Sequence, residues 1–145
     1  MDEEVKVRIP NTQLTLKGRS RAAVGTCIRV CETGWLLDCG VGVCSGRPSR
    51  VFLTHTHLDH VVHAPAIAHL IPPVEGQKKS VKKRDQVTFH LPRESVGVFD
   101  SFFRAAAEMD KQHQGAGTSA SEEVSPYIAS GVAPSDEIRI SGEWI

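Results

Sequence analysis

The stretch from Val51 to His63, VFLTHTHLDHVVH, constrains this chain more than any other. Val51 to Leu53 read as an apolar strand, and His55, His57, Asp59 and His60 follow it at once. Imidazole and carboxylate are ordinary ligands for zinc and similar divalent ions. Residues two apart on an extended segment point the same way, so His55, His57 and Asp59 can converge on one side. A bend at Asp59 would turn His60 toward a neighbouring ion. One short segment can then give two ligands to one metal and two to a second, the layout of a binuclear hydrolase. A single histidine is usually a plain surface residue, and His-rich tracts can bind metal adventitiously. Three histidines and an aspartate at the end of an apolar strand point instead to a built metal site.

The rest of the chain bounds this expectation. With 145 residues, 40% of them hydrophobic, a single domain with a modest core is expected. Lys plus Arg equals Asp plus Glu at 17 each, so no global field favours nucleic acid and any such binding must be local. No apolar run approaches a membrane span, and the start MDEEVKVRIP is acidic and unlike a secretory or import signal. The default expectation is a soluble intracellular protein, cytoplasmic or nuclear. Cys27, Cys31, Cys39 and Cys44 would permit two disulfides, but without an export signal reduced thiols are expected. Their spacing lacks paired C-x2-C knuckles, which favours structural, partly buried thiols over a four-thiolate zinc site.

Taken in order, Val5, Val7 and Ile9, then Leu14 and Leu16, alternate with polar residues and predict two short antiparallel edge strands. Lys17 to Arg21 reads as a basic turn in which Arg19 and Arg21 could meet a phosphate, a solvated loop being the plainer alternative. Thr26 to Cys31 and Trp35 to Asp38 predict a hairpin around Glu32-Thr33-Gly34, its second strand buried on both faces. Asp38, closing that strand, can simply cap a turn. Val41 to Arg50 reads as a loop, and Ala64 to Leu70 as a short helix ended by Pro72-Pro73. His63 and His69 fit surface or helix-packing roles.

Lys78, Lys79, Lys82, Lys83 and Arg84 form a basic loop that could contact RNA phosphates, or could simply be solvated. Val87, Phe89 and Leu91 predict one face of a strand, with His90 opposite and so not a ligand. A helix is expected from Pro92 to about His113, with Phe99, Phe102, Phe103 and Ala106 as its buried stripe. Residues 1–113 would make a compact part and 114–126 a flexible insertion. Within 127–145, Tyr127 to Ala129 and Ile138 to Ile140 read as strands.

The H-x-H-x-D-H pattern after a hydrophobic strand resembles the signature of the metallo-β-lactamase superfamily. GTCIRVCETGWLLDCGVGVC, RVFLTHTHLDHVVHAPAI, VTFHLPRESVGVFDSFFRAAAEMD and APSDEIRISGEWI are together similar to the short-form ribonuclease Z group, endonucleases that trim transfer-RNA precursors at their 3′ side. The resemblance implies an α+β fold, an αββα sandwich, of which this chain would hold the first half as a mixed sheet with flanking helices. The third metal histidine, a bridging aspartate and a last histidine would follow beyond Ile145. It also implies two zinc ions, with His55 and His57 on one and Asp59 and His60 on the other. Asp59 would also handle the proton of the attacking water, as the catalytic residue. LLDCG matches the family's first motif, whose aspartate lies beside the metals, so Asp38 would orient a ligand histidine or the loop. Where the family shows small glycines after its Asp-His pair, this chain has Val61, Val62 and His63, which could narrow the site.

The implied function is a zinc-dependent phosphodiesterase acting on transfer-RNA precursors, with no membrane partner and a homodimer left open. Three rivals stand beside it. One is a hydrolase of the same fold acting on a thioester, lactam or small phosphodiester. Another is a non-catalytic truncated product that binds metal or a partner. The last is an RNA-binding module built on the Lys78–Arg84 loop.

Overall fold

The computed structural model describes residues 4–42, 46–69, 86–113 and 127–138. The Lys78–Arg84 loop, the 114–126 insertion, Cys44 and the segment from residue 139 onward lie outside them. Among the described residues seven strands form one mixed sheet in sequence order: β1 (Val5–Arg8), β2 (Thr15–Arg21), β3 (Gly25–Val30), β4 (Leu36–Leu37), β5 (Arg50–Phe52), β6 (Val87–Pro92) and β7 (Tyr127–Val132). The first four strands pair antiparallel through short turns. From β4 onward every pairing is parallel. Parallel neighbours need long crossovers, and these carry the helices α1 (Leu58–Val61), α2 (Ala64–His69) and α3 (Val96–His113). The fold class is therefore α+β, with a mixed sheet and flanking helices.

The expected β1–β2 and β3–β4 hairpins are present, with one correction. Lys17 to Arg21 is not a turn but the second half of β2, in register with β3 from Leu16↔Val30 to Arg21↔Gly25. Of these two strands β1 is an edge among the described residues and β2 is not, since β2 lies between β1 and β3. Cross-strand pairing has overridden the turn-like composition of this segment. Gly18 fits because any Cβ would strike the Cys27 carbonyl oxygen at 2.2 Å. Ile138 is described as irregular chain rather than strand.

The core lies under the parallel strands. Leu36, Val51, Val87, Phe89 and Leu91 are fully buried on the face that the helices cover, while Leu37, Phe52 and Thr88 on the other face are half-buried. A 3-10 turn (Arg93–Ser95) leads β6 into α3, whose Phe99 and Phe103 pack on Phe89 with ring centroids 5.2 and 5.6 Å away. Tyr127 of β7 closes this cluster against Phe103 and donates its hydroxyl to Asp100 Oδ1 at 2.7 Å. Of the anticipated stripe on α3, Phe99 and Phe103 are buried against the sheet, while Phe102 and Ala106 are only half-buried. The opposite sheet face is also apolar: Trp35 tilts on Phe52, and Phe52 stacks on His90 with centroids 4.7 Å apart. His90 is buried there, its Nε2 accepting from Arg50 Nη1 at 2.9 Å.

Candidate metal centre

The two chain segments that build the site leave the carboxyl ends of adjacent parallel strands, the usual place for a site in such sheets. Asp38 follows β4 and Thr54 follows β5 by two residues. Parallel pairing continues past the strand ends, with the Asp38 N–H donating to the Phe52 carbonyl at 2.9 Å and the Leu53 N–H to the His90 carbonyl at 2.7 Å. The chain then turns sharply at Asp38, a left-handed residue with φ of 57°. This is a conformation that aspartate tolerates better than most side chains.

The segment after β5 is clamped onto this corner. The Cys39 N–H donates to the His60 carbonyl at 2.7 Å, and the His63 N–H to the Cys39 carbonyl at 3.1 Å. Gly40 lies so close beneath that a Cβ would fall 1.6 Å from the Asp59 carbonyl oxygen. The single turn of α1 supplies the bend expected at Asp59, with the His60 N–H bonded to the His57 carbonyl at 2.9 Å. It folds His60 back against His55, whose ring centroid is 4.0 Å away, while His57 meets His55 edge-on at 4.6 Å.

Asp38 organises this group from beneath. Its carboxylate is buried and accepts the Thr54 N–H at 2.8 Å, the Thr54 hydroxyl at 3.0 to 3.1 Å and His60 Nδ1 at 2.9 Å. The Thr54 hydroxyl also meets His55 Nδ1 at 2.9 Å. Asp59 Oδ2 takes the Ala23 N–H from the β2–β3 turn at 3.1 Å and faces His60 Nε2 at 3.5 Å. With His60 Nδ1 donating to Asp38, a neutral His60 presents a lone pair at Nε2, so two acceptors oppose each other. A cation between them would satisfy both.

The two atoms stand 3.5 Å apart. Two donors of a tetrahedral zinc, each about 2.1 Å from the ion, stand about 3.4 Å apart. Among the described residues, however, no group of three His, Cys, Asp or Glu side chains is arranged to hold an ion. Asp59 and His60 are thus a matched pair rather than a complete shell, with His55 and His57 stacked beside them.

Of the other residues singled out from sequence, His90 is taken up by Phe52 and Arg50 and is no part of the cluster. Its Nδ1 meets no partner among the described residues. Burial, and then the nearby Arg50 charge, lower its pKa from 6.5. His69 lies on the α2 surface, its ring 6.2 Å from Phe103. Cys27 and Cys39 are buried thiols and Cys31 an exposed one. Burial pushes the Cys39 thiol well above its ordinary range, the opposite of what a thiolate ligand needs. Lys78, Lys79, Lys82, Lys83 and Arg84 lie outside the described residues.

Sequence reading missed two contributors, Thr54 and the Ala23 N–H. A threonine after a strand carries no distinctive signal, and a backbone donor carries none at all. No helix among the described residues is long and apolar enough to cross a membrane. No family model matches the chain, and no curated protein matches it.

Proposed function

We propose that this chain carries the first metal-binding motif of a zinc-dependent phosphodiesterase of the ribonuclease Z type, in a metallo-β-lactamase-like fold, with transfer-RNA precursors as substrate. The resemblance of the Val51–His63 stretch and of LLDCG suggests the family. The single observation that carries the chemical part is the opposed pair of Asp59 Oδ2 and His60 Nε2, 3.5 Å apart, beneath which Asp38 holds His60 by its other ring nitrogen. His55 and His57 would hold one ion and Asp59 and His60 the other.

Such ions, when bound, lower the pKa of a water and neutralise charge on a phosphate. The chain's own part is to fix the ligand rings. Asp38 orients His60, and the Asp38–Gly40 corner holds α1 in place. Asp59 would be the group that takes the proton of the attacking water.

Zinc competition against a chromogenic chelator tests the metal part. The expected result is binding by the chain that falls at least tenfold in His60→Ala and in Asp59→Ala. Equal affinity in all three proteins would reject the metal reading. For the substrate, the natural gene product should cut a 3′-extended transfer-RNA precursor, and His57→Ala should not. Zinc binding without any cleavage would leave the non-catalytic metal-binding alternative.

A further inference from the structure

We propose that Thr54 is a positioning residue: its hydroxyl passes the orientation set by Asp38 on to His55, so that one buried carboxylate fixes the proton position on two histidine rings. The proposal deepens the metal-site reading and rests on it for its purpose, though its chemistry is intrinsic to the chain.

As a carboxylate, Asp38 can only accept hydrogen bonds. The Thr54 hydroxyl lies 3.1 Å from Oδ1 and 3.0 Å from Oδ2, so its one proton points at Asp38. That oxygen then has only lone pairs to offer its third neighbour, His55 Nδ1, at 2.9 Å. The contact is a hydrogen bond only if Nδ1 carries the proton, which leaves Nε2 of His55 bare.

His60 is treated the same way without the intermediary, since its Nδ1 meets Asp38 Oδ2 at 2.9 Å and must donate. Both rings therefore present their Nε2 lone pairs away from Asp38, although free imidazoles favour the other tautomer. A metal ligand needs the bare nitrogen, and the hydrogen bond at the far nitrogen decides which one is bare. The Thr54 N–H, also bonded to Asp38 at 2.8 Å, holds the hydroxyl in register with the carboxylate.

The test is nitrogen-15 NMR of the metal-free chain, correlating ring protons with ring nitrogens at about pH 8.5, two units above the ordinary imidazole pKa of about 6.5. The expected wild-type spectrum shows His55 and His60 each protonated at Nδ1. Thr54→Val keeps the shape and removes the hydroxyl, and should release His55 toward the Nε2-protonated form while His60 stays as it was. Thr54→Ser should restore His55. A role in packing alone would move both rings or neither.

Should Thr54→Val fail to fold, the wild-type and Thr54→Ser spectra still decide. An Nε2-protonated His55 in the wild type, or an unchanged His55 in Thr54→Val, would overturn the proposal. Zinc affinity, measured in parallel, should fall at least tenfold in Thr54→Val and recover in Thr54→Ser. An Nδ1-protonated His55 in a protein that binds no zinc would remove the metal reading and leave the relay standing. Zinc binding with His55 protonated at Nε2 would do the reverse.

Discussion

The antiparallel and parallel parts of the sheet are built to different standards. β1 is exposed along its whole length, with Val5 and Val7 more than half open to solvent. β6, by contrast, buries Val87, Phe89 and Leu91 completely and carries His90 buried on its other face. The antiparallel strands are joined by short turns and need little burial to find their register. β5, β6 and β7 are joined by helix-bearing crossovers, and burial must offset the cost of closing those loops. The lesson is that the site is built at the ends of the parallel strands, while the antiparallel part reaches it through the Ala23 N–H on Asp59 and through the Thr26 carbonyl, which accepts the Gly40 N–H at 2.8 Å.

Four perturbations should sharpen this contrast, in falling order of effect. Phe89→Ala opens the cluster of Phe99, Phe103 and Tyr127 and should cost about 3–5 kcal/mol, read as a lower urea midpoint at unchanged slope. A loss under about 1 kcal/mol would mean that the core lies elsewhere. Gly40→Ala forces a methyl group against the Asp59 carbonyl and should cost about 1–3 kcal/mol, with a matching drop in zinc affinity. Unchanged affinity there would break the link between corner and ligands.

His90 supplies a pH-dependent test of the parallel part. Its folded pKa lies below 6.5, so on acidification the unfolded chain takes up its proton first. Stability is therefore lost as pH falls through about 6.5 toward the lower folded value, and is fully present above that window. His90→Gln should flatten this slope in urea titrations run across the window. Parallel slopes for the two proteins would show that His90 contributes nothing to it. Smallest of all, Val7→Ala on the exposed edge should change stability by no more than about 0.5 kcal/mol. A larger loss would place a packing partner over β1.

The sequence made some of this legible and hid the rest for identifiable reasons. The period-two run Val87, Phe89, Leu91 and the helical spacing of Phe99 and Phe103 are local patterns, and both elements formed where the pattern placed them. His55, His57 and His60 stack on one another and Asp59 faces His60, because a single turn after a strand needs no distant partner to fold, but among the described residues no three of these side chains are arranged to hold an ion. The Lys17–Arg21 strand was hidden because its extension depends on β3 alongside, not on its own Lys, Gly and Ser content. His90 was assigned correctly to the face away from Phe89, but its burial under Phe52 depends on parallel pairing between β5 and β6, which no local pattern encodes. The placement of Asp38 beside Thr54 is likewise a long-range contact between segments 16 residues apart.

The left-handed turn at Asp38 has a consequence for what this position can become. A non-glycine residue held at positive φ costs on the order of 1 kcal/mol or more. Glycine would relieve that strain outright, and asparagine would suit the backbone at least as well. Yet glycine would leave the Thr54 N–H, the Thr54 hydroxyl and His60 without their shared acceptor. Asparagine would turn an amide toward one of three donors that each need an oxygen. Each donor left unsatisfied costs about 1–3 kcal/mol, more than the relieved strain returns, so searches for more stable variants should find no gain at this position.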